Sequence, residues 1–130
     1  MNLFIQQRFD TIEVRLIESP VITSYRILRR EIGPSDGKIR IKAILGNGGA
    51  LELFEYVAES DANVQLLNYS FHWQSADGAL KRRWDNAPHY PELLNAPHHV
   101  HCESEVVQEI IDVPDVFSII EEIEAALKKS

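Results

Sequence analysis

The sequence predicts an α+β domain: an antiparallel β-meander of about five strands flanked by N- and C-terminal helices. Three observations predict it. Apolar residues recur at helical spacing near both ends of the chain, they alternate with polar ones in between, and turn-forming clusters separate the alternating runs. Strands that follow one another through short turns pair antiparallel, and the helices then cover the apolar face. A chain of 130 residues with 45% apolar and 25% charged residues is expected to form one soluble domain, residues 1–130.

Ile5, Phe9, Ile12 and Leu16 recur at intervals of four, three and four, with Gln6, Gln7, Asp10 and Glu13 between them, which makes an amphipathic helix. Ser19-Pro20 ends it, because proline disfavours helical geometry in the residue before it. The stripe reads as core packing, although a terminal helix also offers a partner a place to dock. Residues 21–32 are rich in β-branched and bulky side chains and read as a strand leading into the turn segment 33–37. Ile39, Ile41, Ala43 and Leu45 then alternate with Lys38, Arg40 and Lys42. That basic face, joined by Arg26, Arg29 and Arg30 of the preceding strand, is either a track for a phosphate backbone or a solvated edge that discourages aggregation. Gly46-Asn47-Gly48-Gly49 lacks the Lys-Ser/Thr of a phosphate loop and precedes a strand, so it reads as a hairpin turn. In the strand 50–58, Glu52, Phe54 and Tyr56 share one face and Leu51, Leu53, Glu55 and Val57 the other. Glu55, alone among apolar neighbours, is expected near an edge where water reaches it, with Arg82 as the other partner to consider.

Residues 68–101 hold all five histidines and both tryptophans. Asp77-Gly78 suits a two-residue type I′ turn. Counting outward from it pairs Gln74 with Lys81, His72 with Arg83 and Ser70 with Asp85 on one polar face, with Asn68 beyond them. Leu67, Tyr69, Phe71, Trp73, Leu80 and Trp84 fall on the opposite, apolar face, together with Arg82. A slip of one residue in this register would move His72 to the other side. Residues 85–98 carry prolines at 88, 91 and 97 and read as an irregular loop, whose length hints at function. Asn86 and Asn95 are expected to form turns by bonding the backbone ahead of each proline.

HWQ at 72–74, the DG turn at 77–78, RWDNAPH at 83–89 and PHH-x-H at 97–101 resemble the signature of the TumE-like family. SYRILRREI at 24–32 and FEYV at 54–57 are similar to that family's front half, so the likeness extends over most of the chain. His72, Arg83, Trp84, Asp85, Asn86, His89, His98, His99 and His101 match the pattern. Tyr90 and Val100 stand where the family often has His and Lys, which argues against essential chemistry at those two positions. The resemblance implies a toxin of a toxin–antitoxin module, partnered by a helix-turn-helix antitoxin, and implies no settled chemistry.

Val106 to Ile111 reads as a short last strand. Val116, Ile120, Ile123 and Leu127 then make a helical stripe that ends in Lys128-Lys129, as the helix dipole prefers. Charge is uneven: residues 1–45 carry eight Lys/Arg against five Asp/Glu, and residues 46–130 five against fifteen. Residues 103–124 hold eight acids and no Lys or Arg, a solvated face by default or a shield for the basic strand face. With a net charge of −7 the chain is a poor indiscriminate nucleic-acid binder, so RNA would have to meet a local basic patch. A lone Cys102 fits a reducing cytoplasm, and the absence of a long apolar run argues against secretion and membrane spanning.

The histidines allow two chemistries. Imidazole both removes and returns a proton near neutrality, and guanidinium suits a phosphate that gains charge. On that reading His72 works with one of His89, His98 or His101, Arg83 holds the phosphate of an RNA substrate and Asp85 orients a histidine. Asn68, Gln74, Lys81, Asn86, Trp84 and Tyr90 are candidate substrate contacts, although a buried Trp84 is the commoner role. No cofactor is needed. In the alternative, His99 and His101 point the same way from an extended segment and hold a divalent metal such as zinc with Asp85. A third reading has no catalysis: histidines and prolines stiffen a loop that docks another protein.

Overall fold

The computed structural model describes residues 1–128; the predicted Lys129 at the helix end lies outside them. Its elements are α1 (Leu3–Glu18), β1 (Ile22–Ile32), β2 (Asp36–Leu45), β3 (Ala50–Ser60), β4 (Asn63–Gln74), β5 (Leu80–Asp85), β6 (His99–Cys102), β7 (Val107–Glu109) and α2 (Val116–Lys128). The strands form one antiparallel sheet in meander order, β1 to β7. The α+β meander between terminal helices is therefore present, with seven strands where about five were expected. The short last strand expected at Val106 to Ile111 is β7, and the strand not expected is β6, too short at four residues to show a period.

Ile5, Phe9, Ile12 and Leu16 of α1 are buried against one face of the sheet, on Ile39, Ile41, Leu51, Leu53 and Phe71. Gly37 is required where the helix crosses, since a Cβ there would stand 2.9 Å from the Ile5 methyl. Asn2 caps α1 by accepting from the Ile5 N–H, and Asp115 caps α2 by accepting from the Ser118 N–H. Ile119, Ile120 and Ile123 bring α2 onto the same core. No described helix is long and apolar enough to cross a membrane.

The core holds one ion pair that the pattern alone misassigns. Glu55 is fully buried, and Arg8 of α1 donates to it from Nε and Nη2, both at 2.9 Å. Arg82, the other partner considered for Glu55, instead meets Glu122 of α2 at 3.1 Å. Arg30 also leaves the expected basic face: it turns to the helix side and bonds Asp10 and Glu13 of α1. A register shift between Ile27 and Arg29 separates Arg30 from Arg26 and Arg29, which stay opposite Lys42 and Arg40 on the open face.

Acids of the C-terminal segment meet partners on the helix side. Glu103 reaches Lys81 at 2.8 Å, Glu122 reaches Arg82, and Glu124 accepts two hydrogen bonds from Arg15, at 2.6 and 3.0 Å. Arg15 holds the Glu124 carboxyl below its usual pKa. These three acids therefore do not shield the basic strand face.

Candidate active site

The helices leave the second face of the sheet open, and the register assembles a row of ionisable side chains there. Glu52 of β3 lies opposite His72 of β4, His72 opposite Arg83 of β5, and Arg83 opposite His101 of β6. Directly paired residues share a face, so all four side chains stand side by side. The adjoining row runs through Phe54, Ser70, Asp85 and His99.

The turn that sets this register differs from the expected one. Gly78 alone in the loop has positive φ, at 84°, and the Ser75 N–H donates to the Ala79 carbonyl, so three residues span the turn. Asp77 secures it by accepting from the Ala79 N–H and the Ser75 hydroxyl. A type I′ turn would need positive φ at Asp77 as well. The extra loop residue is cancelled by a register shift between Trp73 and Gln74, which leaves Lys81 without an opposite partner. Gln74 therefore faces Leu80, not Lys81, while His72 still meets Arg83 and Ser70 still meets Asp85. Lys81 turns to the helix side, its ammonium 5.9 Å from the Trp73 ring centre.

A second shift falls between Tyr56 and Val57, where Leu67 bulges out of β4 and is exposed rather than in the core. Asn86 closes that gap. Its Oδ1 accepts from the Tyr69 N–H at 3.1 Å and its Nδ2 donates to the Leu67 carbonyl at 2.8 Å, so its amide is committed to the sheet. Asn95, at φ 65°, donates to the Ile110 carbonyl at 3.0 Å and so ties the loop to the C-terminal segment. Neither amide bonds the backbone ahead of its proline, because each finds an unpaired carbonyl on another segment.

Loop residues 86–98 fold back over the sheet. Tyr90 packs edge-on against His99 and His101, with ring centres 4.9 and 5.8 Å away. His89 is exposed at the rim of a cleft of about 410 Å³ whose walls include Phe54, Asn68, Ser70, Arg83 and Asp85. His98 and Trp84 are not part of this face. Nδ1 of His98 shares a hydrogen bond with the Tyr69 hydroxyl on the core side, at 2.9 Å, and Trp84 is buried in the core. Gln74 lies two pairings beyond His72, away from Asp85.

Electrostatics set His72 apart from an ordinary surface histidine. Its pKa is lowered, first by partial burial and then by Arg83, with Glu52 pulling the other way. Arg83 Nη2 lies 3.2 Å from Nε2 of His101, and Arg83 Nε lies 3.6 Å from Asp85 Oδ2. Among the described residues, the buried side-chain polar atoms with no hydrogen-bond partner are Nε of Arg83 and Nε2 of His99. Both belong to this one site and face the Asp85 carboxylate, Nε2 of His99 at 2.9 Å and Nε of Arg83 at 3.6 Å, without a hydrogen bond.

A family model described as Toxin TumE matches residues 12–130. The chain belongs to the TumE toxin family. The match takes in every strand and so the whole open face. A TumE toxin is the toxin component of a toxin–antitoxin module, which implies an antitoxin partner. No curated protein and no solved structure matches the chain.

Two residues of this TumE-family face escape a reading of the sequence. Glu52 is the acidic neighbour of His72, and Phe54 lies under the Arg40 guanidinium, 4.6 Å from ring centre to carbon. Alternation places both on the polar side of β3. Their nearness to His72 and Ser70 depends on the β3–β4 register, which the shift at Leu67 resets.

Proposed function

We propose that this TumE-family toxin cleaves RNA by metal-independent acid–base phosphoryl transfer on the open face, and that a helix-turn-helix antitoxin holds it in check. Arg83 carries the reading: it stands between two imidazoles with a buried Nε–H that makes no hydrogen bond, the Asp85 carboxylate lying 3.6 Å away. A phosphodiester oxygen supplies the missing acceptor, and charge-assisted bonds from guanidinium are among the strongest available to it.

His72, kept neutral by burial and by Arg83, accepts the proton of a ribose 2′-hydroxyl as that oxygen attacks phosphorus. Arg83 stabilises the charge that develops on the non-bridging oxygens. The P–O5′ bond breaks, and the departing oxygen takes its proton from the imidazolium form of His101, which burial and Arg83 make the minor form near neutral pH. The products are a 2′,3′-cyclic phosphate and a 5′-hydroxyl. Arg26, Arg29, Arg40 and Lys42 continue the positive surface away from the site and favour a polyanionic substrate over a small one.

Growth arrest on expression tests the reading. It should be relieved by His72→Ala in a protein that still folds, and by co-expression of a helix-turn-helix partner. A well-folded His72→Ala variant that remains fully toxic would remove His72 from the chemistry.

A further inference from the structure

We infer that Asp85, His99 and His101 form a binding site for a divalent transition-metal cation of the zinc class. This goes beyond the acid–base reading and holds whether or not RNA is the substrate.

The three side chains converge because β5 and β6 pair with Asp85 opposite His99, while His99 and His101, two apart on one strand, share its face. Their candidate ligand atoms all lie within 4.8 Å of one another. Nε2 of His99 is 2.9 Å from Asp85 Oδ1, and Nε2 of His101 is 4.0 Å from Asp85 Oδ2. Ligands about 2.0–2.1 Å from a tetrahedral zinc stand about 3.3 Å apart, so the cluster closes on an ion with small side-chain shifts.

Hydrogen bonding prepares the nitrogens to coordinate. Nδ1 of His99 lies 2.9 Å from the Pro97 carbonyl, which can only accept, so Nδ1 carries a proton and Nε2 is the nitrogen left to coordinate an ion. That Nε2 is buried in a residue only 1% exposed and makes no hydrogen bond, although a carboxylate oxygen is beside it. An imidazole nitrogen and a carboxylate oxygen in contact share a positive charge between them, which a proton or a metal cation supplies. Nε2 of His101 faces the donor Nη2 of Arg83, so it too presents a lone pair. The supporting bonds typical of metal sites are in place: a backbone carbonyl orients His99, and the Ala87 N–H donates to Asp85 Oδ1 at 3.0 Å.

Two imidazoles and one carboxylate suit zinc and its first-row neighbours. Magnesium and calcium prefer all-oxygen shells. Arg83 competes with the ion for His101 and Asp85, but its side chain is 42% exposed and free to turn towards water. Because His101 cannot be a ligand and a proton donor at once, a bound ion would block the acid–base route rather than take part in it.

Tag-free protein stripped with chelator is titrated with Co²⁺, read by visible absorption, and with Zn²⁺, read by calorimetry. One ion per chain is expected. His101→Ala and Asp85→Asn, checked for folding by circular dichroism, should each weaken binding more than about tenfold, since even outer-shell partners are commonly worth that much. Arg83→Ala should tighten binding, a change that no loss of structure would mimic. Absence of binding, affinity untouched by both ligand substitutions, or weaker binding in Arg83→Ala would overturn the inference. RNA is absent from the assay, so failure of the cleavage reading leaves its result unaffected.

Discussion

His72 and Arg83 face each other across β4 and β5, and this pairing survives although the turn between them has three residues instead of two. The bulge at Lys81 absorbs the odd residue, so the polar row reaches from Glu52 to His101 without a break. The site thus depends on a compensation within the hairpin as much as on the side chains it carries.

Replacing His72 by Ala should lower the rate of RNA cleavage about 10²–10⁴-fold, the usual weight of a general base, with binding little changed. Arg83→Ala should be at least as damaging, and Arg83→Lys only a partial rescue, because an ammonium lacks the planar fork. Single-turnover rates on labelled RNA decide this.

Opposing neighbours make His72 a titration probe that needs no substrate. Arg83 of β5 depresses its pKa and Glu52 of β3 raises it. In metal-free protein, Glu52→Gln should lower the midpoint of the His72 ring signal in NMR and Arg83→Ala should raise it. A depressed folded pKa also means that His72 adds stability above its unfolded value, about 6.5, that is lost as pH falls. Chemical denaturation should show stability declining below that pH, less steeply in His72→Gln.

Arg8→Ala should cost about 3–5 kcal/mol in denaturant unfolding, since it strands a fully buried Glu55 without its partner. Pairing Arg8→Leu with Glu55→Leu should recover most of the loss, whereas either change alone should not.

Asn86→Ala leaves the Tyr69 N–H and the Leu67 carbonyl without their side-chain partner at the β4 bulge. About 1–3 kcal/mol of stability should be lost. Toxicity should fall only in step with the folded fraction, and a folded but inactive variant would show that Asn86 touches substrate.

Periodicity made the terminal helices and the first strands legible, because Ile5 to Leu16 and Ile39 to Leu45 each bury one continuous face. It failed where a single residue is inserted. The bulges at Leu67 and Lys81 turn two side chains to unexpected faces, and nothing in the local pattern announces them. Glu55 was misplaced for a different reason: its partner Arg8 lies 47 residues away on α1, three positions after Ile5, where it flanks the buried stripe. β6 stayed hidden because HVHC is short and follows a proline-rich loop, even though Val100 is the core anchor that turns His99 and His101 to the open face. Of the predicted site, His72, Arg83, Asp85, His99 and His101 come together on that face, and His98 goes to the other side because its ring bonds the Tyr69 hydroxyl.

End-group analysis of RNA incubated with the purified, chelator-treated toxin is the most direct test of the central claim. A 2′,3′-cyclic phosphate and a 5′-hydroxyl at each cut, absent with His72→Ala, are the predicted result. Intact RNA, or cuts that leave a 5′-phosphate and so require water as the nucleophile, would contradict it.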